Sequence, residues 1–137
     1  MIVVDSNIIG YLYLKSERLA QAEQALEQDP QWAAPLLWRS ELRNVLALYL
    51  RKRLMSLEAA REIMDEALSL MTSQEYEVVS AHVLNLAARS SCTAYDCEFV
   101  ALAQDLGVSL VTVDKQVLEQ FPDTAVSLDK YLASRRK

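Results

Sequence analysis

Ile2-Val3-Val4-Asp5-Ser6-Asn7 sets three β-branched residues ahead of an acid and two turn formers. Three such residues in a row leave no polar face. The run therefore predicts a short strand buried on both sides, as strands are inside a parallel sheet. It stops at Asp5, and Ser6 and Asn7 favour a turn. Val108 to Val113 is a second strongly apolar strand, and Asp114 follows it. In an open parallel sheet, ligands bind beyond the carboxyl ends of the strands. An Asp at a strand end can also simply begin a loop, so either acid alone says little.

The rest of the chain supplies helices between strands. Ile8 to Leu14 reads as helical. Ser16 with Glu17 can cap a second helix with Leu19, Ala22 and Leu26 at helical spacing, closed by Asp29-Pro30. Trp32 to Ala34 suits a very short strand, and Pro35 the first turn of a helix running to about Arg53. On that helix Leu37, Glu41, Val45 and Leu48 share a face, with Leu42, Leu46 and Tyr49 beside it. Ser56 can cap the next helix, whose stripe includes Leu57, Ala60, Ile63, Met64, Ala67, Leu68 and Met71; the two predict an antiparallel pair. Tyr76 to Val79 is a candidate strand, Ser80 a candidate cap for a helix with Val83, Leu84 and Ala87, and Arg89 to Cys92 a loop.

Thr93 starts a helix buried through Phe99, Val100, Leu102, Ala103 and Leu106, with Asp96 placed for a capping box and Gly107 at the C′ position. A short helix with Val117 and Leu118 breaks at Pro122. Ala125 to Leu128 reads as an edge strand, Asp129 to Ser134 as a final turn or helix, and Arg135-Arg136-Lys137 as a basic tail. This order predicts an α/β fold: a three-layer α/β/α sandwich around a mostly parallel sheet of four or five short strands. One domain is expected over 1–137, with 134–137 as a frayed tail.

Composition narrows the function. The 137 residues are 52% hydrophobic and 24% charged, enough for one sizeable core and unlike a disordered chain. Fourteen basic against nineteen acidic residues leave a net charge of -5, which excludes a broad basic coat for nucleic acid. Two cysteines without a CxxC pair, and the lone His82, exclude a disulfide framework and a His/Cys zinc site. No apolar run approaches a membrane span, and Met1 to Asp5 has no basic region or secretory h-region. A soluble cytoplasmic protein with reduced thiols and no membrane partner is expected.

Glu41 is the anomaly of its helix, a carboxylate within an apolar stripe. Such a group is seldom buried unless paired or bound. Arg39 and Arg43 flank it awkwardly and Arg51 is too far along, so it either meets something else or marks the border of the stripe. Asp96 has a capping role worth roughly 0.5–2 kcal/mol. Its first-turn position also steadies the ionised form, which a metal ligand must keep. Four converging carboxylates would repel one another without a cation. Hard oxygen donors favour Mg²⁺ or Mn²⁺ over zinc, and one or two such ions could activate water and hold a scissile phosphate in line. Setting these four acids aside moves the charge from -5 to -1, so a polyanionic substrate is not excluded.

These pieces resemble the PIN-domain ribonucleases, most closely the VapC-type toxins of prokaryotic toxin–antitoxin pairs. Val4-Asp5-Ser6-Asn7 matches the family's opening strand and first acid, and Ser40-Glu41-Leu42 the helix that brings the second. Thr93-Ala94-Tyr95-Asp96 with Phe99-Val100-Ala101-Leu102-Ala103 matches its most distinctive stretch, and Leu110-Val111-Thr112-Val113-Asp114 the fourth acid. Matching pieces run from residue 2 to residue 121.

The resemblance implies a metal-dependent endoribonuclease in which Asp5, Glu41, Asp96 and Asp114 hold Mg²⁺ or Mn²⁺, the fourth acid often at longer range or through water. It implies supporting roles for Asn7 and Thr112. It also implies a homodimer, held inactive by a small antitoxin that covers the groove, with operator DNA bound only through the antitoxin. Glu98 stands where many relatives carry a small or apolar residue; two places after Asp96 it faces away and reads as solvated. Arg39, Arg43, Arg51, Lys52 and Arg89 are candidate contacts for RNA phosphates.

Blander roles suit other residues. His82 reads as a packing or surface residue, Cys92 and Cys97 as small buried groups, and Trp32 and Trp38 as core or dimer surface rather than base platforms. Tyr11 and Tyr13 suit packing against an antitoxin or second subunit. Within the resemblance, the alternative is a catalytically silent PIN-like interaction module for protein or RNA. A paired-Asp phosphatase would want an acid where Asn7 stands, and a phospho-receiver an Asp at the end of a middle strand, which the central residues lack.

Overall fold

The computed structural model describes residues 1–134, and the basic stretch Arg135-Arg136-Lys137 lies outside the described residues. The elements run β1 (Ile2–Val4), α1 (Ser6–Tyr11), α2 (Leu19–Gln28), β2 (Trp32–Pro35), α3 (Leu37–Arg51), α4 (Leu57–Leu70) and β3 (Glu75–Tyr76). They continue with α5 (Ser80–Ala88), α6 (Ala94–Leu106), β4 (Leu110–Thr112), α7 (Lys115–Gln120), β5 (Ala125–Ser127) and α8 (Leu128–Ser134). Ser134, read with the tail from sequence, closes α8 and donates its hydroxyl to the Tyr131 carbonyl.

The sheet is ordered β3-β2-β1-β4-β5 with every pairing parallel. β1 is central, with Val3 opposite Ala33 on one side and Leu110 on the other. Every residue of β1, β2 and β4 is buried, as continuous apolar runs require of strands covered on both faces. α6 packs on β1, β2 and β4, α3 on β2, and α8 on β4 and β5. The result is the expected α/β/α sandwich, with β5 at an edge as its position in the chain suggests. No helix among the described residues is long and apolar enough to cross a membrane.

Local signals fix several boundaries. The Ser56 hydroxyl accepts from the Ala59 N–H to begin α4, and the Thr93 hydroxyl from the Asp96 N–H to begin α6. Gly107 ends α6 in the left-handed region at φ 68°, with the Val108 N–H returning to the Ala103 carbonyl.

Other expectations shift. The helix read over Ile8 to Leu14 stops at Tyr11, the strand at Tyr76 to Val79 is the pair Glu75–Tyr76, and Val108 caps α6 rather than opening β4. Pro35 ends β2, paired with Tyr76, instead of starting α3. The buried stripe of α3 is Trp38, Leu42 and Leu46, while Leu48 is 45% exposed. The Trp38 indole N–H donates to the Glu75 carboxylate on β3, which turns that face of α3 inward. The face bearing Leu37, Glu41 and Val45 is left half-buried beside it.

Candidate active site

Asp5, Glu41, Asp96 and Asp114 line one open cavity of about 470 Å³ at the carboxyl ends of β1 and β4. Asp5 caps α1 immediately after β1, and Asp114 caps α7 two residues beyond β4. Glu41 comes from α3 and Asp96 from the first turn of α6. Ser6, Asn7, Ser40, Asn44, Tyr95 and Thr112 share the lining. The parallel topology brings β1 and β4 side by side, so the acids that follow them meet beyond the carboxyl end of the sheet.

Each carboxylate has its own support. Asp5 accepts hydrogen bonds from the Thr112 hydroxyl, the Ile8 N–H at 3.0 Å and the Val113 N–H at 3.3 Å. It is half-buried and lines the cavity. Burial pushes its carboxyl above the usual range, and those hydrogen bonds pull the other way. The Ser6 hydroxyl donates to Glu41 at 2.6 Å. Burial raises Glu41 too, and the charges of Asp96, Asp5 and Glu98 add to the rise. Asp96 is raised by burial and then by the Asp114 charge, while the Thr93 hydroxyl and N–H steady its anion. Asp114 accepts from the Gln116 and Val117 N–H groups, and its own N–H donates to the Thr112 hydroxyl at 3.1 Å.

Among the described residues, the ion pairs join Met1 to Asp29, Arg39 to Glu75 and His82 to Asp105. None neutralises the four acids. Nor, among the described residues, is any group of three or more His, Cys, Asp or Glu side chains arranged to hold a metal ion. The carboxylates surround the cavity, each drawn to its own hydroxyl or N–H, without closing on one point. As a donor set, hard oxygens that push one another's pKa upward and lack a cationic partner fit a divalent cation such as Mg²⁺ or Mn²⁺.

The structure places the other sequence candidates as follows. Thr112 joins the first and fourth acids and is the buried polar side chain among the described residues. Asn7 is exposed at the mouth, and its N–H also serves Asp5. None of Arg39, Arg43, Arg51, Lys52 and Arg89 lines the cavity. Arg39 holds Glu75 through two hydrogen bonds of 2.5 and 2.6 Å, and the other four are exposed. Trp32 and Trp38 are core residues, and Cys92 and Cys97 are buried thiols. His82 bonds Asp105 and Gln104, away from the acids.

Glu98 is half-buried rather than fully solvated, because α6 is covered on several sides, and its charge reaches Glu41. The sequence reading missed Ser6, Ser40, Asn44 and Tyr95 as lining residues. Asn44 lies three residues after Glu41 on one helix, so the i,i+3 spacing was the available signal.

The family model described as PIN domain matches residues 2–124. A ribonuclease of Pyrobaculum aerophilum, VapC3, is 32% identical over 124 residues, covering 88% of this chain and 95% of the relative. The crystal structure of PAE2754 from Pyrobaculum aerophilum superposes with a TM-score of 0.73 at 22% identity, covering 98% of this chain and 95% of that one. A toxin–antitoxin complex from Klebsiella pneumoniae gives 0.69 at 20% identity, covering 93% of this chain and 98% of that one. The chain belongs to the PIN-domain family, closely related to its VapC-type ribonucleases.

Proposed function

We propose that the protein is a Mg²⁺- or Mn²⁺-dependent endoribonuclease, the toxin of a toxin–antitoxin pair, acting as one PIN-like unit in the cytoplasm. One observation carries the reading: four acids from separate elements line one cavity with no basic partner among the described residues. Asp5, Glu41, Asp96 and Asp114 would hold one or two ions, which when bound would polarise a phosphodiester and lower the pKa of a water. The chain's own part is to aim these carboxylates, with hydrogen bonds that oppose the rise that burial gives Asp5, Glu41 and Asp96. Thr112 and the Ile8 and Val113 N–H groups hold Asp5, Ser6 holds Glu41, the start of α6 holds Asp96, and the start of α7 holds Asp114. Asn7 orients the mouth. Positioning and charge compensation then do most of the work of hydrolysis.

The relative's name, a VapC ribonuclease, supports RNA as substrate. A small antitoxin covering the cavity, a homodimer, and operator DNA bound only through the antitoxin complete the proposal. Leu36, Leu54 and Leu57, exposed by 44%, 65% and 62%, offer apolar surface for such partners. Arg43, Arg51, Lys52 and Arg89, exposed outside the cavity, could meet RNA phosphates, and Arg39 only by sharing or leaving Glu75. The second reading, a silent interaction module, draws on the absence of a closed ligand cage among the described residues.

Titration with Mn²⁺ and mapping of RNA ends, wild type beside Asp96→Asn, separate the two. We expect Mn²⁺-dependent cleavage that falls by about 10²-fold or more in the variant. A wild type that binds Mn²⁺ and cuts no RNA would favour the module, and unchanged cleavage by Asp96→Asn would overturn the assigned site.

A further inference from the structure

Beyond Ser6, Asn7 and Val45 the acid cavity adjoins a second hollow of about 180 Å³, lying between the end of α1 and the face of α3. Those three residues line both spaces. Tyr11 and Tyr49 line the hollow, and Leu14 and Leu42 supply buried apolar wall. Gly10 is part of the lining. A Cβ there would meet Leu14 Cδ1 and Leu42 Cδ1 at 3.7 Å each, ordinary contact distances, so alanine fits without a clash. The backbone at Gly10 is helical and needs no left-handed conformation. A glycine inside a helix is less favourable than alanine. Neither sterics nor backbone requires glycine here, and a methyl group at this place would take space from the hollow that Gly10 lines.

We propose that the hollow is a nucleobase subsite, taking the base of a nucleotide whose phosphate lies at the four acids. The proposal rests on the nuclease reading and names the part of the substrate that the acids do not see. Its chemistry suits a base. Tyrosine rings offer flat surface on which bases of any sequence can stack. The Asn7 amide and the Ser16 hydroxyl, both in the lining, can donate to and accept from base edges, and the Ser6 oxygen, whose proton goes to Glu41, can accept. Continuity with the acid cavity lets one nucleotide span both. An apolar peptide side chain would use Leu14 and Leu42 and leave the polar groups idle.

The test has two arms, on the intact protein with Mg²⁺. In the first, the four nucleoside 5′-monophosphates are titrated while the ring signals of Tyr11 and Tyr49 are followed by NMR, with N-acetyl-tryptophanamide as an apolar peptide-like control. In the second, end mapping on random-sequence RNA reads base preference beside the cut. Gly10→Ala and Tyr49→Ala accompany wild type in both, and Gly10→Ala should melt at or above the wild-type temperature. We expect at least one mononucleotide to move both rings in wild type, and each variant to lose about tenfold in that affinity and in base preference.

Cleavage whose base preference is unchanged in both variants, with rings silent to every mononucleotide, overturns the subsite and leaves the nuclease reading intact. Rings that respond to a mononucleotide in a protein that cuts no RNA support the base site while sinking the nuclease. Rings that respond only to N-acetyl-tryptophanamide assign the hollow to a protein ligand and overturn the proposal.

Discussion

Thr112 touches two of the four acids at once: its hydroxyl donates to Asp5 and accepts from the Asp114 N–H. At 1% exposure it has no water to replace either bond. Thr112→Val should therefore cost about 1–3 kcal/mol in denaturant unfolding and weaken Mn²⁺ binding, while Thr112→Ser should keep most of both. Glu41 makes a prediction of opposite sign. Its carboxyl is raised by burial and then by neighbouring negative charge, so the folded state holds its proton more tightly than the unfolded chain does. Without metal, stability attributable to Glu41 is present at acidic pH and is lost as pH rises through the raised range. Glu41→Gln, which keeps an acceptor for Ser6, should raise the metal-free melting temperature at pH 8 and change it little at pH 4.

At this scale the sequence was most informative where a residue type was out of place. Glu41 in an apolar stripe and the acids at strand ends were legible. Ser6 and Asn44 were not, because a serine after a strand and an asparagine on an exposed helix face have ordinary roles in most chains.

Among elements, α3 shows both what periodicity reveals and where it fails. The helix was plain from the spacing, yet the buried face was read one position off. Leu37, Val45 and Leu48 are as apolar as Leu42 and Leu46, and only the Trp38 indole bonded to Glu75 settles which stripe turns inward. The same rotation explains Glu41, which lies on the border of the core and faces the cavity. β1 and β4 were legible as runs rich in β-branched residues, but β2 has none and β3 is only two residues long, paired with β2.

The end of α3 invites a substitution. Arg53 takes φ 57° where the Leu54 N–H returns to the Tyr49 carbonyl, a closure that favours glycine. Arg53→Gly should stabilise the protein by about 1 kcal/mol in chemical denaturation, the side-chain penalty of that region.

For the whole molecule, the four acids place metal binding and folding on one scale. A cation bound only by the folded state should add about 2.7 kcal/mol at a hundredfold excess over its Kd, seen as a rise in melting temperature with Mg²⁺ or Mn²⁺ at pH 7.5. Asp5, Glu41 and Asp96 are all raised, so protons compete with the ion from a higher pH than for ordinary carboxylates. The metal-induced rise should be greatest above that raised range and shrink as pH falls through it. A rise that persisted unchanged at pH 4 would place the ion elsewhere.

The side-by-side docking of β1 with β4 joins residues more than a hundred positions apart in the chain. A ribosome must therefore have made Asp114 before the cavity can exist at all. On the proposed reading, a half-synthesised chain is inert toward the message that encodes it and the machinery that translates it. The danger begins only when β4 slots in beside β1, and by that moment an inhibitor must already be waiting.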